Sequence, residues 1–104
     1  MVEHMVWIRF QPGVSANAIE NHLAGLRRLP EKVPGIRKLA VGENFTDRAG
    51  GFTHGLLVTL ESREALKTYA DHPEHLAVAG PLQRDAELLA LDFEHETEDP
   101  SQRA

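Results

Sequence analysis

The sequence contains no cysteine in its 104 residues. That absence excludes disulfide bridges, thiolate chemistry and any zinc site built on cysteine, and it fits a reducing compartment. Positive charge is also short. There are 11 basic against 16 acidic residues, a net charge of −5, and the basic ones gather only in pairs such as Arg27-Arg28 and Arg37-Lys38. A surface that tracks phosphates needs a basic stripe, so nucleic acid is not an expected partner. No apolar run approaches the ~20 residues of a membrane-spanning helix. The opening MVEHMVWIRF has no basic region followed by an apolar block, as a secretory signal would. The expected location is cytoplasmic, with no membrane partner. Gly50, Gly51 and Gly55 lack the strand–loop–helix setting of a phosphate loop.

What is present has the pattern of one compact α+β domain. From Val2 to Phe10 the residues alternate, with Val6, Ile8 and Phe10 on one side and Met5 and Trp7 on the other, which is a strand by period and by residue type. Gln11-Pro12-Gly13 marks a turn, and Ser15 caps a helix carrying Ile19, Leu23 and Leu26 at helical spacing, ended by Pro30 and Pro34-Gly35. Residues 36–42 read as a short strand, 43–51 as a polar loop, and 52–61 as another alternating strand. Ser62 caps a helix with Ala65, Leu66, Tyr69 and Ala70 in one stripe. Pro73 ends it and starts a short helix to Ala79, closed by Gly80-Pro81. Residues 88–93 are the last strand, and the polar stretch from His95 is a loose tail. Residues 1–95 therefore form one domain, and 96–104 a flexible tail.

The order strand, helix, strand, strand, helix, strand predicts a ferredoxin-like fold, a four-stranded antiparallel sheet with helices on one face. The other face would expose Met5, Trp7, Leu39, Val41 and Leu57, more apolar surface than a monomer leaves bare. Two such sheets packed face to face would bury it in a homodimeric α/β barrel.

The single tyrosine and two of the six histidines fall within YADHPEHLAV, Tyr69 to Val78. His4 and His54 share faces with the aliphatic residues of the first and third strands. Those strands are neighbours in this topology, so His4 and His54 are expected side by side, beneath Tyr69, His72 and His75. Apolar walls with a few converging polar groups make a ligand pocket. Imidazole is the natural base near neutral pH. A phenol can donate to a carbonyl oxygen that gains charge on enolisation. Each residue alone has a blander reading, as a satisfied core histidine, a core aromatic or a polar helix end; only convergence argues for a site. His72 and His75 do not make a metal set, because a residue before proline leaves the helix and no carboxylate is placed to join them. The metal and cofactor expectation is none.

The segments HMVWIRFQPGVS, LRRLPEKVPGIRKLAVGEN, GFTHGLLVTLESREALKTYADHPEHLAV and LALDF resemble the stress-responsive dimeric α/β-barrel family, the Dabb domain, from His4 to about Phe93. The resemblance implies a ferredoxin-like fold and a homodimer joined through its sheets. The chain is also similar to polyketide cyclases of that family, which close a linear chain by an aldol step without a cofactor. By motif position that likeness implies Tyr69 and His75 as catalytic residues and His4 and His54 as pocket residues, with a small hydrophobic carbonyl compound as ligand. The alternative reading is a non-catalytic stress-responsive or small-molecule-binding homodimer.

Overall fold

The computed structural model of the chain describes residues 1–96. Eight elements follow one another: β1 (Val2–Phe10), α1 (Ala16–Arg27), α2 (Leu29–Lys32), β2 (Ile36–Glu43), β3 (His54–Leu60), α3 (Arg63–Asp71), α4 (Pro73–Asp85) and β4 (Ala86–Glu94). The four strands form one antiparallel sheet in the order β2-β3-β1-β4. The helices cover one face. Their apolar sides, from Leu23, Leu26, Leu29, Tyr69 and Leu82, meet Val6, Ile8, Leu56, Val58 and Leu60 of the sheet in a single core. This is the ferredoxin-like architecture that the order of elements requires.

The helix starts follow from local chemistry. The Ser15 hydroxyl accepts from the Ala18 N–H at 3.1 Å, and the Ser62 hydroxyl from the Ala65 N–H at 3.0 Å. Each satisfies one amide that the first helical turn leaves without a partner. Gly35, with φ of +89°, makes the turn into β2 where a side chain would be strained. A Cβ there would also stand 2.9 Å from Ala65 Cβ.

Three expectations are corrected. α4 does not stop at Ala79 but continues to Asp85 with Pro81 inside it. Gly80, lacking a side chain, eases the clash a proline imposes on the residue before it, and the helix gives up one backbone hydrogen bond. Leu39 and Val41 face the helices, not the open side, because they pair with Val58 and Leu56. The cause is an irregularity between Ile36 and Lys38 that adds a residue and reverses the alternation of the rest of β2. His95 is not the start of a loose tail. Its backbone exchanges hydrogen bonds with Met1, and its ring donates to Glu3 Oε2 at 2.7 Å. Residues 97–104 of the expected tail lie outside the described residues.

With Leu39 and Val41 removed, the open face is still strongly apolar. β4 supplies Leu89, Leu91 and Phe93, opposite Trp7, Met5 and Glu3 of β1. Trp7 is 47% exposed and Leu91 63%. On the other half of the same face stand Ala40 and Leu57, then Gly42 directly opposite Gly55. The β1–β4 half is therefore raised and the β2–β3 half hollow.

Candidate active site

The N-terminal half of β1, the C-terminal end of β4 and the junction of α3 with α4 meet at one end of the domain. Residue 72 makes the junction. His72, φ −68° and ψ 133°, closes α3 and caps α4, its Nδ1 accepting from the Glu74 N–H at 3.1 Å. The extended backbone there is what a residue before proline prefers, and Pro73 needs no partner for a missing N–H in the first turn. The bend turns the last turn of α3 and the first turn of α4 toward each other. Tyr69 and His75 consequently meet, ring centroids 4.3 Å apart and tilted by 42°.

Tyr69 is 1% exposed, and its ring meets His4 edge-on at 5.7 Å. Among the described residues its hydroxyl has no hydrogen-bond partner, yet no fully buried side-chain polar atom lacks one. The hydroxyl thus holds part of the ring's small residual exposure. Burial pushes its pKa up to about 12, so at neutral pH it is an O–H donor and not a phenolate. His75 Nδ1 donates to the Ala70 carbonyl at 3.1 Å. A carbonyl only accepts, so the neutral ring carries its proton on Nδ1 and presents a bare Nε2. Burial lowers the His75 pKa, with the Ala70 hydrogen bond opposing and the nearby His4 and His72 adding to the lowering. The unprotonated ring is therefore the resting form near neutral pH.

His4 lies on the helix-covered face of β1 and donates through Nδ1 to Asp92 Oδ1 on β4 at 2.5 Å. Asp92, His4, Tyr69 and His75 form a continuous row. Asp92 was not singled out from the sequence. The signal was present, since residue 92 falls on the same face as His4 once β4 is registered against β1, but nothing short of the register identifies the pair.

The structure does not bring His54 to this row. The expectation that His4 and His54 lie side by side ignored strand direction. β1 and β3 run antiparallel, so His4 pairs with Val58 and His54 with Ile8. Four residues of strand, roughly 13 Å, separate the two positions. His54 instead packs edge-on against Phe10 at 5.1 Å and bonds the Thr53 hydroxyl at 2.9 Å. His72 is close in sequence to the pair, but its Nδ1 is committed to the cap. Cavities open between described residues, five of them on the open sheet face, between α1 and α4, and beside the β2–β3 loop. None of these five is lined by Tyr69 or His75. No group of three or more potential metal ligands occurs among the described residues, and no described helix is long and apolar enough to cross a membrane.

Fold and site together define a ferredoxin-like α+β domain with a buried phenol against a half-buried imidazole at the joint of its last two helices. Its sequence matches the Stress responsive A/B Barrel Domain family, Dabb, over residues 2–95, and the chain belongs to that family. It is 30% identical over 98 residues to the stress-response A/B barrel domain-containing protein HS1 of Arabidopsis thaliana, covering 88% of this chain and 87% of that one. It is 26% identical over 96 residues to olivetolic acid cyclase of Cannabis sativa, covering 88% and 94%. Among solved structures, a dimeric ferredoxin-like protein of Jannaschia sp. superposes with a TM-score of 0.80 at 26% identity, covering 90% of this chain and 98% of that one.

Proposed function

We propose that this protein is a homodimeric, cofactor-free acid–base catalyst acting on a small, largely apolar carbonyl compound. The observation that carries the reading is the contact of Tyr69 with His75, each with one unpartnered polar atom among the described residues and each held neutral by burial. In this reading His75 Nε2 removes a proton from the carbon beside a carbonyl. The electron pair moves onto the carbonyl oxygen, and the Tyr69 O–H donates to that oxygen as it becomes an enolate. With a second carbonyl in the same molecule, the enolate carbon attacks it, a carbon–carbon bond closes, and the new alkoxide takes the proton back from the His75 imidazolium. No net oxidation or reduction occurs. The row Asp92–His4 fixes the far side of the Tyr69 ring. The likeness to olivetolic acid cyclase supports this class of substrate, a poly-β-keto compound.

The homodimer is the second half of the proposal. A twofold axis lays the raised β1–β4 half of one open face on the hollow β2–β3 half of the other, so Trp7 and Leu89 meet the gap beside Gly42 and Gly55. An isologous interface has to be self-complementary in this way. The dimeric state of the Jannaschia protein supports it.

The second reading, a non-catalytic binding homodimer, is favoured by one observation: none of the five cavities reaches the Tyr69–His75 pair. Turnover of poly-β-keto thioesters separates the two. Cyclised product from the parent chain, abolished in Tyr69→Phe and His75→Ala, supports catalysis. No product from the parent, with lowered melting temperatures in both variants, leaves the binding reading.

A further inference from the structure

We propose that the groove between α1 and α4 is a second binding site, distinct from the Tyr69–His75 pair, for a small apolar molecule bearing a hydroxyl group. A phenol is the simplest such molecule, and its O–H would be donated to His22 Nδ1. The groove is lined from α1 by Ala18, Asn21, His22 and Gly25, a single helical face, and from α4 by Ala77, Val78 and Pro81. Its volume is about 360 Å³, at the small end of the ~300–1,000 Å³ range of ligand pockets. A Cβ on Gly25 would stand 3.4 Å from Val78, so α1 and α4 approach most closely here with no side chain between them.

His22 gives the groove its chemistry. Its Nε2 lies 2.7 Å from Asp85 Oδ2, and a carboxylate only accepts, so Nε2 carries the proton. The other nitrogen of the neutral ring is then an acceptor. The ring is held in place by stacking on Phe10, centroids 5.8 Å apart and planes 29° from parallel. His22 keeps only 11% of its side-chain exposure. Among the described residues Nδ1 has no partner, yet no fully buried side-chain polar atom is left unpaired. Nδ1 therefore keeps some exposure, and the cavity that His22 lines is this groove.

A second acceptor stands nearby. Pro81 has no N–H to give the carbonyl of Ala77 one turn earlier, so this carbonyl, on a residue of the lining, loses its ordinary helical partner. With Asn21 the one other polar side chain on this lining, the acceptor on His22 favours a hydrogen-bond donor on an apolar body. A carboxylate or phosphate would set its oxygens against the Nδ1 lone pair. The helices lie on the opposite side of the sheet from the open apolar face, so a dimer formed through the sheets leaves the groove accessible.

The test is an amide NMR titration of the ¹⁵N-labelled full chain at about pH 8, above the ordinary imidazole range. Phenol and toluene are compared as probes. The expected result is saturable phenol shifts at Ala18, His22 and Ala77, with toluene binding roughly tenfold or more weakly, because it leaves the acceptors unpaired. His22→Phe keeps a ring against Phe10 but removes the acceptor, and should erase the difference between the probes. Ala18→Leu keeps a good helix former and fills the groove, and should abolish binding of both even if the His22 variant folds poorly. No saturable shift with phenol up to roughly ten millimolar, equal binding of the two probes, or unchanged phenol binding in Ala18→Leu would overturn the proposal.

Discussion

Burial acts on Tyr69 and His75 in opposite directions along the pH scale but toward one end, neutrality. Removing water penalises the charged form of either group, so the phenol is pushed up and the imidazole down. One group is thereby left as donor and the other as base. Tyr69→Phe and His75→Ala should each lower turnover by ~10²–10⁴-fold, measured on poly-β-keto thioesters, with dimerisation unchanged. The acid limb of kcat/KM should fall below the ordinary imidazole value of 6.5. Stability should follow the same group. A histidine whose folded pKa is lowered binds a proton more readily when unfolded, so stability is lost as pH falls from about 6.5 toward the folded pKa and levels off below it. The melting temperatures of the parent and His75→Gln should therefore converge as pH drops below 6.5 relative to their difference at pH 8; parallel curves would remove burial as the cause. His72 has a different task. His72→Ala should lower stability by ~1 kcal/mol through loss of the α4 cap, a melting shift of ~4–8 °C. His72→Asn, a strong capping residue, should restore it. Failure of asparagine to rescue would mean that His72 acts other than through the Glu74 amide.

Among the elements, the short joint between α3 and α4 decides the site. It consists of one extended residue between two helices, fixed by the His72 cap and by Pro73. The entry to β2 is the other constrained joint. Gly35→Ala places a side chain at φ +89° and 2.9 Å from Ala65 Cβ. The left-handed backbone alone costs ~1–2 kcal/mol for a non-glycine residue, and the clash adds to it. Thermal unfolding should show a loss of at least ~4–8 °C. A melting temperature within a degree or two of the parent would mean the β2 entry rearranges freely.

At the scale of the molecule, the proposed homodimer rests on the open sheet face. Trp7, Leu89, Leu91 and Phe93 are all substantially exposed in the single chain, a patch of the kind that marks an interface. Standard interfaces bury about 1,600 Å² in total. Light scattering at micromolar concentration should give about twice the chain mass of 11.6 kDa. Leu91→Glu is the sharper variant. Leu91 is 63% exposed in the isolated chain, so a charge there leaves the fold intact, while in the dimer it would be buried without a partner. A folded monomer is the expected product. A dimer as stable as the parent's would move the interface elsewhere.

Local rules of the chain were enough for the element types and their order. Alternation in Val2–Phe10, the serines before two helices and the proline at residue 73 act within a few residues, and each is where its spacing requires. The contact of Tyr69 with the segment carrying His75 was legible for the same reason, since the two stand six positions apart in sequence. What depended on packing was not legible. The added residue near the start of β2 turns Leu39 and Val41 inward. Pro81 passes through a helix that its own preference would end. Strand direction sends His54 to the far end from His4, only the register of β4 against β1 gives His4 its Asp92, and only the packing of α4 beside α1 puts His22 on a groove. Each of these is settled by atoms distant in the chain, where burial of a face outweighs the preference of any one residue.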